Sequence, residues 1–362
     1  MHQWIDSAAA LDAWISKHSA ATVVALDTEF MRTNTFAPIL ALVQVKIGEE
    51  VALLDSPRLD GHAALAAVLA DPATLCVMHS ASEDLEALAG ILPAGPARLF
   101  DTQIAAAMAG LGFGLSYQKL VAHVFGVELP KSETRSDWLQ RPLSAAQLDY
   151  AAQDVVWLPQ IQARLADALA SLGRSDWLVE DCRRMVDRVR RVEPDPQPQR
   201  AFRSASDWPR HNQILLRRLL LWRESAARRY DKPRSWLLDD AHALGLAERP
   251  PAEANELFER TKGLRALRSA QRAEVLTLLQ APLSGDDDAT VPIPPPFNGS
   301  EKRALTAMKE AVAAVAKNFD LPEGLLCPRR HLEALVTDRH WPAALEGWRK
   351  PLLFDVLNEK LP

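Results

Sequence analysis

Short, strongly apolar runs alternating with helix-like stretches mark the first half of the chain as α/β. Thr22-Val-Val-Ala-Leu26 is β-branched and apolar, as a buried strand is, and it runs into Asp27. Ile39-Leu-Ala-Leu-Val-Gln-Val-Lys-Ile47 reads as a second strand, turned by Gly48-Glu-Glu50 into Val51-Ala-Leu-Leu54, which predicts an antiparallel hairpin. Leu75-Cys-Val-Met78 is a short strand ahead of a helix over about 82–89, with Ser82 as its expected N-cap. Ser144 is expected to cap a helix that carries Tyr150 and Asp154 and continues through Trp157 towards Leu172.

Beyond residue 190 the pattern becomes helical. Val192-Glu-Pro-Asp-Pro-Gln-Pro198 cannot continue a helix, because alternate prolines force extended backbone, so the first domain is expected to end near 195. Residues 282–298 hold Gly285, three aspartates and Pro292-Ile-Pro-Pro-Pro296, the composition of a linker. Two helical segments, roughly 207–281 and 299–361, flank it. They resemble each other weakly: Ala226-Ala-Arg-Arg-Tyr-Asp231-Lys-Pro233 parallels Val315-Ala-Lys-Asn-Phe-Asp320-Leu-Pro322, each followed by Leu-Leu. Each segment also closes on an amphipathic helix, over 272–279 and 351–361, which predicts two copies of one small module.

Composition adds bounds rather than a function. At 362 residues, two or three domains are expected. Apolar content of 48% and charged content of 25% fit a soluble globular protein, and no apolar run reaches membrane-spanning length. The first residues lack the basic-then-apolar order of a secretory signal, and Cys76, Cys182 and Cys327 lack metal-type spacing. A cytoplasmic, monomeric protein with reduced thiols is expected. The net charge is −5, yet residues 183–234 hold 15 Lys or Arg against 6 Asp or Glu, a local +9. That stretch is either a solvated helix surface or a phosphate-contacting one.

Candidate chemistry lies in three fragments: Asp27-Thr-Glu29, Asp84 within His79-Ser-Ala-Ser-Glu-Asp-Leu-Glu, and Tyr150-Ala-Ala-Gln-Asp154. Residues two apart on a strand share a face, so Asp27 and Glu29 can reach one point. Tyr150 and Asp154, four apart, share a helix face. Asp84 lies at a helix start, where carboxylates are favoured, although these residues alone do not choose it over Glu83. Each fragment is common by composition. Together they bring four carboxylates from three elements to one place, where mutual repulsion raises their pKa values unless cations compensate. Hard divalent cations take such oxygen ligands.

These fragments resemble the exonuclease superfamily named for its four acids, Asp-Glu-Asp-Asp, in the subgroup with tyrosine in the third motif, and within it the bacterial ribonuclease D family. The resemblance extends to Phe100-Asp-Thr-Gln-Ile104, Ser136-Asp-Trp138, Arg141-Pro-Leu143 and the helical tail, which is similar to the helicase-and-ribonuclease-D C-terminal (HRDC) module. It implies a ribonuclease-H-like (DnaQ-like) α/β exonuclease domain with a mixed central sheet over 1–195, then two small all-α HRDC-type modules over 207–283 and 299–361. It implies that Asp27, Glu29, Asp84 and Asp154 hold two divalent ions, Mg2+ or Mn2+, and that the Tyr150 hydroxyl positions or helps deprotonate the attacking water. The implied reaction is 3′→5′ hydrolysis of RNA to nucleoside 5′-monophosphates, with tRNA precursors and other structured RNAs as partners and no membrane.

Weaker candidates surround this set. Phe30 and Met31 can stack on terminal bases or pack in the core. Lys131, Arg135 and Arg141, flanking Trp138, can hold phosphates beside the site or simply be solvated. His79 reads as a structural hydrogen-bonder and Asp101 as a helix cap, while the side that Gln44 faces is open. The competing functions are a DNA 3′→5′ exonuclease and a non-catalytic RNA-binding protein. A helicase or NTPase is excluded for want of a phosphate-binding Gly-Lys-Ser/Thr loop.

Overall fold

A computed structural model describes residues 2–130, 136–190 and 193–362. The chain forms two compact units. The first joins residues 1–31 and 38–191 with the C-terminal stretch 299–362, and the second joins 32–37 with 192–298.

The first unit is built on a six-stranded mixed sheet: β1 (His2–Ile5), β2 (Val23–Met31), β3 (Ile39–Ile47), β4 (Glu50–Leu54), β5 (Leu75–Met78) and β6 (Leu99–Asp101). The order is β1-β4-β3-β2-β5-β6, with β2, β3 and β4 antiparallel and the flanking pairs parallel. The expected hairpin is present. Its two-residue connection uses Gly48 at φ +56°, a conformation that costs glycine nothing. Val24, Ala25 and Leu26 are fully buried at the sheet centre, as their apolar run requires.

Helices α1 (Ala8–Lys17), α2 (Ala63–Ala70), α3 (Ser82–Leu88), α4 (Thr102–Met108), α5 (Tyr117–Phe125), α6 (Ala145–Val156), α7 (Leu158–Ser171) and α8 (Ser175–Arg190) cover the sheet. Three expectations about local structure are corrected. First, the strand does not end with the apolar run at Asp27: β2 continues to Met31 and carries Asp27 and Glu29 within it, on one face as expected. Second, Ser82 is the first helical residue and not a side-chain cap; the cap position is Ala81, whose N–H donates to Asp101 (2.8 Å). Third, the helix carrying Tyr150 and Asp154 does not continue to Leu172 but breaks at Trp157. Pro159 accounts for that break, since it has no N–H to close the turn and its ring crowds the preceding one. Ser144 does cap α6, in a reciprocal capping box with Gln147.

The C-terminal stretch is bound to α8 by a buried cluster. Arg349 makes a two-pronged ion pair with Asp181 (2.6 and 2.8 Å), and its guanidinium lies over the Trp348 ring. Trp348 stacks on Trp177 (4.5 Å between centroids) and donates its indole N–H to Asp181 (3.1 Å). Gly347, at φ +69°, brings the backbone so near Glu180 that an added Cβ would lie 1.8 Å from its Oε1.

The second unit centres on α9 (Arg210–Tyr230), whose Leu215, Leu216, Leu219 and Leu220 join Leu246, Leu257 and Val275 in one core. The stretch 282–298 is not a free linker. Ile293 is buried in that core, its N–H donates to Gln213 (2.8 Å), and Asp287 pairs with Arg218 (2.5 Å). Its prolines suit it to lie extended across a surface.

The internal repeat is visible in the backbone. A long helix ends at Asp231 (φ 47°) in one unit and at Asp320 (φ 48°) in the other. Each is followed by a proline and a four-residue helix, Arg234–Leu237 and Glu323–Leu326. Asp tolerates the left-handed conformation better than most residues, so one short motif terminates both helices alike.

Candidate active site

Three elements of the first unit present the five residues singled out by the sequence. β2 carries Asp27 and Glu29 on one face, both half-buried. Thr28, between them, donates its hydroxyl to Asp84 Oδ1 (2.5 Å), which draws α3 against the strand. Asp84 is buried and Glu83 exposed, so the choice between these neighbours falls to Asp84. α6 packs across β2, β3 and β4 and directs Tyr150 and Asp154 together, with their side chains hydrogen-bonded.

Electrostatics tie the set together. Burial pushes Asp27 well above the carboxylate range, and the nearby charges of Asp84, Asp154 and Glu29 push it further. Glu29 is raised from 4.5 to about 8 by burial and by Asp154 and Asp84. Burial raises Asp154 to about 7, opposed by the bond from Tyr150, and raises Asp84 to about 6, opposed by the bond from Thr28. Burial, and then Asp154, Glu29 and Asp27, hold the Tyr150 phenol above its ordinary value, so it stays protonated at neutral pH. A set of hard oxygen donors destabilised by its own negative charge fits a divalent cation. Among the described residues, no three Asp, Glu, His or Cys side chains already form a coordinating group. The four acids are therefore neighbours coupled through charge rather than a closed shell.

The surrounding network is structural. His79 shares hydrogen bonds with Thr102 Oγ1 (2.9 Å) and the Leu115 carbonyl (3.0 Å), the role expected of it. Asp101 caps α4 by accepting from Gln103 and Ile104, and it also accepts from Ala81 at the start of α3. The strand register resolves Gln44: it lies directly opposite Asp27, fully buried, with no hydrogen-bond partner for its amide among the described residues.

Two of the residues proposed to contact RNA have other occupations. Arg141 is 13% exposed; it pairs with Asp55 (2.7 Å), donates to the carbonyls of Ala41, Trp138 and Gln140, and lies over Trp4. Every donor direction of that fork is engaged, so Arg141 clamps the loop before α6 and is not available to phosphates. Trp138 is only 2% exposed and packs beside Tyr150 (6.1 Å), which removes it as a stacking platform for bases. Phe30 and Met31 are half-buried at the end of β2, Phe30 following a register shift after Glu29. Lys131 and Arg135 lie outside the described residues.

The basic stretch 183–234 is also mostly engaged within its own units. In the first, Arg184 donates to Ala343, Ala344 and Glu346 carbonyls. In the second, Arg218 pairs with Asp287, Arg223 with Asp240, Arg229 with Glu274, and Arg228 and Arg234 with Glu224. The local +9 is thus largely a device for holding chain segments together. Sequence patterning misses this because the partners lie up to 162 residues away.

Comparison with known proteins agrees with this architecture. A family model described as 3′-5′ exonuclease matches residues 2–170. The chain is 44% identical over 335 residues to ribonuclease D of Xanthomonas oryzae pv. oryzae, covering 91% of this chain and 90% of that protein. It is 31% identical over 379 residues to ribonuclease D of Escherichia coli strain K12, covering 99% and 98%. The crystal structure of Escherichia coli RNase D, described as an exoribonuclease involved in structured RNA processing, superposes with a TM-score of 0.87 at 29% identity, over 99% of this chain and 98% of that one. With these matches spanning both the acid-bearing domain and the helical tail, the chain belongs to the ribonuclease D family of 3′→5′ exoribonucleases.

Proposed function

We propose that this protein removes nucleotides one at a time from RNA 3′ ends as nucleoside 5′-monophosphates, acting on tRNA precursors and other structured RNAs with 3′ extensions. The observation that carries the reading is the convergence of Asp27, Glu29, Asp84, Asp154 and Tyr150 from β2, α3 and α6, with all four acids raised by burial and Asp27, Glu29 and Asp154 raised further by charges within the set. Asp27, Glu29, Asp84 and Asp154 would hold two divalent ions, Mg2+ or Mn2+. When bound, such ions lower the pKa of water and neutralise charge on the departing oxygen. The Tyr150 hydroxyl, donating to Asp154 and kept protonated, is suited to orient the attacking water rather than to abstract its proton. Phe30 and Met31 remain the candidates for contact with the terminal bases. Residues 1–195 form the exonuclease domain and 207–283 and 299–361 the HRDC-type modules in this reading. Three buried free thiols suit a reducing cytoplasm, where we place the protein. No helix among the described residues is long and apolar enough to cross a membrane.

The deciding assay offers single-stranded RNA, single-stranded DNA and a tRNA with extra 3′ residues, each with Mg2+ and with EDTA. Mononucleotide release from the RNAs in Mg2+ alone is expected. Preference for DNA would favour the proofreading-type alternative, and binding without turnover would favour a non-catalytic RNA-binding protein. Tyr150→Phe is expected to lower kcat about 10²-fold, the lower range for a positioned proton-handling group, while Mn2+ affinity stays near wild type. Equal loss of both in a titration would assign Tyr150 to metal binding instead.

The raised acids also set a pH dependence. Asp84, Asp154 and Glu29 take up protons more tightly folded (about 6, 7 and 8) than at their ordinary values of 3.8, 3.8 and 4.5. Between those limits the folded state binds more protons than the unfolded one, so stability falls as pH rises. In EDTA, the urea midpoint is expected to drop from pH 5 to pH 8, and Mg2+ should restore more of it at pH 8 than at pH 5. A flat profile in EDTA would show that burial and neighbouring charge do not raise these acids in the folded state.

A further inference from the structure

The break between α6 and α7 is occupied by a second phenol. Tyr117, the first residue of α5, is 6% exposed, and its hydroxyl donates to the Gln153 carbonyl (3.0 Å) while accepting from the Trp157 N–H (3.1 Å). Those two backbone groups are four residues apart, the pair that an unbroken helix would join directly. The phenol therefore stands inside the helical ladder, a recognised cause of a kink, and the turn it opens is the one that contains Asp154. The same ring meets the edge of His79 (5.8 Å), which is tied to Thr102 and Leu115 in the segment leading to Asp84. Asp154 and Asp27 both act on the Tyr117 hydroxyl electrostatically, placing it close behind the acids.

We infer that Tyr117 is a positioning residue for Asp154: by bridging Gln153 and Trp157 it holds open the turn that aims that carboxylate at Asp27 and Glu29. The inference rests on the metal-dependent reading above. Pro159 alone makes the helix end near this point, but it does not set the angle at which the last turn of α6 leaves. A hydroxyl held on both sides by backbone does set it. Without the hydroxyl, the Trp157 N–H, which also reaches the Val155 carbonyl, can close on the Gln153 carbonyl, which would rotate Asp154 with them. Tyr117 touches neither RNA nor water in this scheme and acts only through the backbone on either side of the acid.

Tyr117→Phe in the full-length protein tests this, because it keeps the ring against His79 and removes only the bridge. Supporting groups around metal ligands are typically worth 10–100-fold in metal affinity or activity. With Mg2+, kcat for RNA 3′-end trimming is expected to fall about tenfold or more with KM unchanged. Mn2+ binding to the RNA-free protein, followed by direct titration, should weaken by about the same factor. A variant that loses urea stability but keeps wild-type kcat and Mn2+ affinity would reduce Tyr117 to a packing residue and overturn the inference, as would wild-type values of either quantity. Should Tyr117→Phe not fold, Tyr117→Leu, which likewise lacks the bridging hydroxyl, takes its place under the same readouts. Asp154→Asn run alongside separates the two levels: if it too retains Mn2+ affinity and turnover, the metal-dependent reading itself has failed.

Discussion

Asp154→Asn and Asp27→Asn are each expected to lower Mg2+-dependent RNA hydrolysis by at least about 10³-fold, while RNA binding stays close to wild type. Metal-assisted stabilisation of developing charge is worth several kcal/mol, and about 4 kcal/mol corresponds to that factor. Removing a carboxylate takes away an anionic ligand without altering the shape of the site. The same substitutions should raise stability, which distinguishes a functional acid from a structural one. Asp27 is held far above its ordinary range by burial and three acidic neighbours, so the neutral amide relieves repulsion. In EDTA at pH 8, the Asp27→Asn urea midpoint is expected to exceed wild type. Near wild-type turnover, or a clear loss of stability with the rate retained, would remove Asp27 from the site.

Asp181→Ala is expected to destabilise the first unit by about 3–5 kcal/mol, because it leaves the Arg349 guanidinium buried without its counter-charge. Asp181 accepts from both Arg349 nitrogens and from Trp348, and the side chains of the pair are 9% and 10% exposed. Arg349 also donates to the Leu325 carbonyl (2.9 Å), so its loss would orphan groups on both sides. Urea unfolding followed by tryptophan fluorescence reads this directly, since Trp177 and Trp348 stack within the cluster. The double change Asp181→Leu with Arg349→Met should recover much of the loss, as apolar replacements of buried ion pairs often do. If the single and double variants unfold alike, the pair is not what joins α8 to the C-terminal stretch.

These two predictions draw on different depths of the sequence. The acids were legible because their constraints are local. A period of two places Asp27 and Glu29 on one face, a spacing of four places Tyr150 with Asp154, and a capping serine marks the start of α6. The repeated helix terminator was legible for the same reason, as Asp231 and Asp320 adopt one backbone conformation in one short motif. Pro159 carries a signal of the same local kind, since a residue without an N–H ends the helix of Tyr150 near Trp157.

What the chain alone could not supply were pairings across long separations. Arg141 read as a basic residue near the site until Asp55 and the Ala41 carbonyl, 86 and 100 residues away, took its donors. The residues of 282–298 have the composition of a linker, yet Ile293 is buried in the core of the second unit. The +9 of residues 183–234 is compatible by sequence with a solvated helix surface or a phosphate-contacting one, whereas in the fold many of its arginines meet carboxylates.

By itself, then, the sequence determined the candidate acids apart from the choice between Glu83 and Asp84, the α/β and helical segments, and the family to which they belong. Only the tertiary structure decided that Asp84 rather than Glu83 is the buried acid, that Tyr117 enters the helix beside Asp154, and that residues 299–362 are joined to α8. The physical reason is range. Hydrophobic period, capping and turn chemistry act within a few residues and leave their mark on the order of amino acids. A hydrogen bond between residues 117 and 153, or an ion pair between 181 and 349, exists only after packing has brought distant segments together, and many sequences would permit it without announcing it.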